Sequence, residues 1–513
     1  MEAGPEPVLF PPVQYRTAVM PHRFAVPLSR RALLRAGGAA VAATALGGTG
    51  LAAPDAGALK TGLAGPAPVA AAGELVEVEL IAKQRMQRIL PEPADPSPLI
   101  TYADRFPGPI IRMRKGQRLR ATLVNGLDEH TSIHWHGIRL PNLEDGVPYL
   151  TQPPTKPGER HVYEFTPPDA GSFFFHPHCN TVELLGRGLA GILIVEEPDA
   201  PKFDADVVCL VKDWQLDKTG KFGAFITDRG AARAGTFGSL STVNGAIDPV
   251  IEVPANGDIR ARLYNIDSTR VVDLRVEGAE AWIIAVDGNP LPPRPLDGWP
   301  MGPAMRIDVL FRAPAKAGQT LRLTNVYSAE PKPLATFRAV GPGLPNKRFK
   351  PRALPASAIP EPDLKDAPII PMAFSATAVA QSFDAAALPG LPYADALCLS
   401  AKTFWAINQQ SWPEGGHERL PPPLVTLEKG RSYIFELANL TPHLHPIHIH
   451  GYTFKVLSSD SRKVVPHHAD TVLLEPKERL RVAIKADNPG DWMFHCHIIE
   501  HQDTGMMGYI RVA

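Results

Sequence analysis

Ten of the 17 histidines in this 513-residue chain fall into four short groups. The groups are His134-Trp135-His136-Gly137, His176-Pro177-His178, His445-Pro446-Ile447-His448-Ile449-His450-Gly451, and His495-Cys496-His497-Ile498-Ile499-Glu500-His501. Between Cys179 and Gly416 there is no histidine at all. A single pair at i, i+2 says little, because such residues merely share one face of a strand. Four groups, two toward each end of the chain, point to metal ligation.

The strand period sorts these ligands. In His495-Cys496-His497 both imidazoles point to one face and the thiol to the other. A metal held by Cys496 therefore lies across the strand from metals held by His495 and His497. On the thiol side His501 follows five residues later and Met506 ten later, and His445 is available from a neighbouring strand. Two histidines, a cysteine thiolate and a weak axial methionine form the ligand set of a blue-copper electron-transfer centre. Zinc accepts a His2Cys set but has no use for the methionine or for eight further histidines. Those eight pair across the two ends of the chain, predicting a cluster that neither end builds alone. Pro177 stands in the slot that Cys496 fills, so the N-terminal copy has the histidine pair without a thiolate.

The elements that must carry these residues are short strands. Pro 55 and Gly 42 punctuate brief apolar stretches, which suits strands and turns better than long helices. One pattern recurs three times: a glycine, an alternating strand and a terminal asparagine, at Gly116 to Asn125, Gly257 to Asn265 and Gly430 to Asn439. Leu119, Ala121 and Leu123 against Arg118, Arg120 and Thr122 is the alternation of a half-buried strand. The first and third copies also share Gly171-Ser-Phe-Phe-Phe-His176 and Gly490-Asp-Trp-Met-Phe-His495. The repeats predict three domains, at 59–200, 201–350 and 397–513, with a Pro/Ala-rich surface linker over 351–396. The histidine-free middle domain is expected to be a spacer or interface and not a ligand donor. Asp145 would be the turn residue of Glu144-Asp145-Gly146 if it has no role at the metals.

Charge and cysteine content exclude other classes. Lys+Arg 53 against Asp+Glu 53 gives no net charge, which argues against nucleic-acid or polybasic membrane partners. Four cysteines in so long a chain rule out a disulfide scaffold. Cys179, Cys209 and Cys398 are expected to be buried free thiols, with a Cys209–Cys398 bridge as the alternative. Trp135 and Phe173 to Phe175 read as core packing beside the metals. Ser29-Arg30-Arg31-Ala32-Leu33-Leu34 ahead of an Ala/Gly-rich run matches a twin-arginine export signal over residues 1–58, and predicts a periplasmic protein.

In order and spacing these motifs resemble the four copper signatures of the multicopper oxidases, specifically three-domain bacterial laccases and copper oxidases, over roughly residues 75–513. The resemblance implies an all-β chain of three cupredoxin-like Greek-key sandwich or barrel domains that binds four copper ions. It implies His445, Cys496, His501 and Met506 at type 1 copper, and His134 and His448 at type 2. It assigns His136, His176 and His497 to one type 3 copper and His178, His450 and His495 to the other. The implied activity is one-electron oxidation of a small donor, a phenol or a metal ion, coupled to four-electron reduction of O2, with electrons passing from Cys496 to His495 or His497. A monomer with no membrane partner is expected.

Protons are where the chain departs from similar enzymes. Asp145 stands where they keep an acid near the type 2 site. Where bacterial laccases often place Glu directly after the second type 1 histidine, this chain has Gln502, and an amide does not carry a proton as a carboxylate does. Asp503 or Glu500 are the candidates to substitute. A dedicated cuprous oxidase is the alternative activity, weakened because the third domain has no methionine cluster ahead of Met493. A non-enzymatic cell-division scaffold of this fold would lack ligands that are all present here. Copper nitrite reduction normally uses two domains and fewer histidines.

Overall fold

The computed structural model describes residues 73–345, 348–377, 403–413 and 420–513. The twin-arginine segment and Cys398 lie outside these residues. The described strands form six sheets, and the sheets fall in three consecutive pairs along the chain. The first pair runs from Leu75–Gln87 to Gly191–Glu196, the second from Ala205–Trp214 to Lys332–Val340, and the third from Ile369–Ala376 to Met507–Val512.

The repeated strand holds the same place in each pair. Arg118–Asn125, Asp258–Asn265 and Ser432–Asn439 each lie between a parallel and an antiparallel neighbour. The alternation expected at Leu119, Ala121 and Leu123 is observed, with all three fully buried. The terminal asparagines do equivalent work in all three copies. The amide of Asn125 donates to the carbonyls of Glu129 and Thr155, that of Asn265 to Arg270 and Met301, and that of Asn439 to His443 and Glu475. Each side chain thus ties the outgoing loop to a second loop, satisfying backbone groups that a sheet edge would leave open.

Aromatic rings join the two sheets of each pair. Trp135 meets Tyr163 and Phe165 across the first sandwich, with centroids 5.8 and 5.2 Å apart. Phe311 meets Phe337 at 5.0 Å in the second, and Phe494 meets Phe374 at 6.0 Å in the third. Trp135 and Phe173 to Phe175 are buried, as core packing requires.

The linker expected over 351–396 needs correcting. Ile369–Ala376 is a strand of the six-stranded sheet of the third sandwich, paired in parallel with Ser432–Asn439. Its Phe374 is fully buried, so the apolar residues among the prolines serve the core. Among the described residues no helix is long and apolar enough to cross a membrane. Cys209 is free and buried, and burial pushes its thiol up to about 12. Cys179 is free and half-buried.

Candidate metal centre

Strand pairing brings the histidine groups together two by two. His134–His136 lies antiparallel to Gly171–His176 with His134 opposite His176. In the third sandwich His445–Ile449 lies antiparallel to Gly490–Cys496 with His448 opposite His495. The two histidine-bearing sheets face each other, and the rings of His134 and His450 stack at 3.7 Å, those of His136 and His448 at 3.8 Å. The eight histidines outside the thiol site therefore form one cluster between the first and third sandwiches.

Cys496 points away from that cluster, as the strand period requires. Its Sγ lies 3.6 Å from Nδ1 of both His445 and His501, and those two nitrogens are 3.1 Å apart. An ion at the centre of this triangle would sit about 2 Å from each donor, within the usual range for imidazole and thiolate ligands. The outer nitrogens are fixed by protein: His445 Nε2 by the Thr441 hydroxyl at 2.8 Å, and His501 Nε2, which donates to the Arg233 carbonyl at 2.7 Å. Met506 is fully buried, and its carbonyl accepts from the Cys496 amide at 3.1 Å. Burial pushes the thiol pKa up, so ionising Cys496 requires a cation beside it.

In the cluster one nitrogen of most rings is tied back to protein, which sets the tautomer and turns the other inward. Nδ1 of His134, His176, His448 and His495 donates to the carbonyls of Asp145, Pro177, Asp470 and Cys496, at 2.8 to 3.0 Å. His450 Nδ1 donates to Asp145 Oδ2 at 2.9 Å, and His136 Nε2 to Asp470 Oδ1 at 3.0 Å. The inward nitrogens have no partner: His134 Nε2, His136 Nδ1, His176 Nε2, His178 Nε2, His448 Nε2 and both nitrogens of His497 are buried and unsatisfied. Nε2 of His450 and of His495 face one another at 3.1 Å, two lone pairs with no proton between them. Burial, and then the neighbouring imidazoles, hold His136, His178, His448, His450 and His497 well below the ordinary histidine value. Neutral rings with converging, unshared lone pairs are metal ligands in waiting, and with the thiol set beside them the donor chemistry fits copper.

The sets of closest donor atoms include His178, His450 and His495. The rings of His136, His176 and His497 are mutually 5.1 to 5.8 Å apart. His134 and His448 are 5.7 Å apart.

Three residues around the cluster carry no signal in the sequence. Asp470, Arg306 and Asp287 form a buried chain that begins at His136 and ends in the middle sandwich. Burial opposes the Arg306 charge, but Asp470 and Asp287 hold its pKa above the ordinary value. Burial and the Asp470 charge raise Asp287. Among the described residues the middle sandwich supplies none of the histidine or cysteine donors, yet its Arg306 holds Asp470, which in turn fixes the His136 ring. Gly137 allows the approach: at φ +84°, a Cβ there would collide with Asp470 and come within 2.7 Å of Arg306 Nη2.

The acids expected to carry protons are placed differently from one another. Asp145 is fully buried with one carboxylate oxygen on His450. The other, Oδ1, is 3.3 Å from His134 Nδ1 but unpartnered, since that ring donates to the Asp145 carbonyl. Asp503 is exposed on the wall of a cavity of about 630 Å³ that also meets Glu129, His178 and Gln502, and it accepts from Gln502 Nε2 at 3.1 Å. His178, at 8% exposure, is the most open of the cluster histidines. Glu500 corrects the expectation that it can substitute for the missing acid. Its carboxylate turns to the thiol side and accepts from Thr227 N and Thr236 Oγ1 of the middle sandwich.

Profiles of the multicopper oxidase family match residues 84–200 and 399–513. Multicopper oxidase MmcO of Mycobacterium tuberculosis is 29% identical over 442 residues, 79% of this chain and 82% of that protein. The multi-copper oxidase of Pseudomonas thermotolerans is 41% identical with a TM-score of 0.76, over 86% of this chain and 99% of that one. The corresponding Pseudomonas parafulva structure is 39% identical with a TM-score of 0.75, over 85% and 100%. The two matched segments, in the first and third of three cupredoxin-like sandwiches, are the ones that carry the four histidine groups. The chain therefore belongs to the multicopper oxidase family and is a copper-dependent oxidoreductase.

Proposed function

We propose that the chain holds four copper ions and couples one-electron oxidation of a small donor, phenolic or metallic, to reduction of O2 to water. His445, Cys496, His501 and Met506 would hold type 1 copper, and His134 and His448 type 2. His136, His176 and His497 would hold one type 3 copper, and His178, His450 and His495 the other. Bound copper supplies one-electron chemistry at the thiolate and a multi-electron site for O2 at the cluster.

One observation carries this reading: Cys496 and His495 are consecutive residues whose side chains enter the two sites from opposite faces of one strand. The peptide between them links the sites through bonds, and the His495 Nδ1 bond to the Cys496 carbonyl, 2.9 Å, adds a second link. Asp145 orients His450 through Oδ2 and keeps Oδ1 free to hold a proton beside His134. The cavity at His178 lets protons and water reach the cluster, with Asp503 as the acid on its wall. Export by the twin-arginine segment into the periplasm belongs to the same proposal, since that pathway carries folded, cofactor-loaded proteins.

The test is Cys496→Ser. It should abolish the intense blue absorption of the copper-loaded protein and its donor oxidation, while copper bound by the eight-histidine cluster stays. A variant that kept its blue colour would overturn the type 1 assignment. Oxygen uptake by the wild-type protein with a phenol, Cu(I) and Fe(II) in turn ranks the donors.

A further inference from the structure

The thiol site is roofed by the middle sandwich. His501 is fully buried, and the atom over its outer nitrogen is the carbonyl oxygen of Arg233. Because Nδ1 of His501 faces Cys496 and His445, its proton sits on Nε2 and is already donated. His445 is likewise closed off by Thr441. Neither histidine of the thiol site has an N–H left for a substrate.

Residues 227–236 form this roof, and the third sandwich grips them at three points. His501 holds the Arg233 carbonyl, and the Trp405 indole donates to the Ala231 carbonyl at 2.6 Å. The Glu500 carboxylate accepts from the amides of Thr227 and Thr236 and from the Thr236 hydroxyl. The fit is close enough to need glycine: a Cβ on Gly230 would come within 2.9 Å of Glu500 Oε1, and one on Gly235 within 3.2 Å of Oε2. The outer side of the roof is open, with the Arg233 side chain exposed. The cover over His501 is thus a single layer of backbone.

A donor that must hydrogen-bond the histidine, as a phenol does through its hydroxyl, cannot reach it. A donor that gives up its electron without contact needs only to stand against the roof. We propose that electrons enter through the Arg233 carbonyl and its hydrogen bond to His501, and that Glu500, by holding the roof down, selects contact-free donors such as compact metal complexes over phenols. This rests on the type 1 assignment of the proposed function. In the step itself no bond forms or breaks: the donor loses one electron and the copper held by Cys496 gains it. Glu500 is a positioning residue here.

The experiment uses Glu500→Ala and, because that position adjoins a ligand, a second variant, Thr227→Val with Thr236→Val, which loosens the roof from its own side. Hydrogen exchange over 227–236 is measured in copper-free and copper-loaded protein. Anaerobic bleaching of the blue band is then timed with ferrocyanide and with 2,6-dimethoxyphenol. Both variants should exchange faster over 227–236, and the phenol-to-ferrocyanide rate ratio should rise by roughly tenfold, the discrimination a pocket contact gives. An unchanged ratio despite faster exchange overturns the roof as the selector. Unchanged exchange in both variants overturns Glu500 as its fastener. Absence of a blue band in the loaded wild-type protein defeats the type 1 assignment instead, so the two failures are distinguishable.

Discussion

Arg306 grips Asp470 with two parallel hydrogen bonds, Nη1 to Oδ1 at 2.9 Å and Nη2 to Oδ2 at 2.7 Å, both side chains being fully buried. The same guanidinium donates through Nε to the Ser172 carbonyl at 3.1 Å. One arginine of the second sandwich thus bonds to the first and the third at the place where their histidines meet. Planar, bidentate geometry of this kind is what arginine offers and lysine does not.

Breaking that pair leaves a buried carboxylate without its counter-charge. Arg306→Met should cost about 3–5 kcal/mol of stability, the usual penalty for orphaning a buried ion. It should also lower copper at His448, seen as a weakened or altered type 2 paramagnetic signal, and at His136, seen as a lower total copper content, because Asp470 holds the first by its carbonyl and the second by its side chain. Asp470→Asn should disturb His136 more than His448, whose bond is to backbone. An Arg306→Met protein with wild-type melting and a wild-type signal would show the pair to be dispensable.

Proton supply tests Asp145. Asp145→Asn keeps the shape, and its side-chain oxygen can still accept from His450, but it cannot hold a proton at Oδ1. Copper content should be normal and donor oxidation of the blue site unchanged, while reoxidation of the fully reduced enzyme by O2 slows by about tenfold or more, within the range for general acid–base catalysis. Gln502→Glu, placing an acid on the same cavity as His178 and Asp503, should be neutral or faster. Stopped-flow reoxidation at the wild-type rate in Asp145→Asn would leave that residue with an orienting role alone.

Copper removal should make stability depend on acid. Burial lowers His495 to about 4 and His501 to about 3 in the folded chain, against about 6.5 when exposed. Between those values the unfolded chain binds protons that the folded one does not. The stability from keeping these rings neutral is therefore fully present above pH of about 6.5 and is lost as pH falls toward 4, by about 1.4 kcal/mol per pH unit for each ring. Denaturant midpoints of the copper-free protein at pH 7, 6 and 5 should fall steadily, and copper at pH 7 should raise the midpoint. A flat profile would mean that the copper-free rings are not buried neutral.

The sequence by itself determined the ligand types, the repeated strand and the side of the strand each ligand occupies, because these follow from residue chemistry and a period of two. Leu119, Ala121 and Leu123 face inward, and Cys496 turns away from His495, for that local reason alone. What tertiary structure decided is how ligands far apart in the chain are held and who covers them. Asp470 reaches His136 across 334 residues and Arg306 reaches Asp470 across 164, and no periodicity links such positions. Glu500 looked like a proton carrier because it stands in the cysteine motif; packing turned it to Thr227 and Thr236 of another sandwich. Ile369–Ala376 hid among prolines and alanines as linker, because its place in the sheet comes from a parallel partner supplied by Ser432–Asn439. Local pattern encodes which way a side chain points, whereas the groups that meet it depend on how the three sandwiches close.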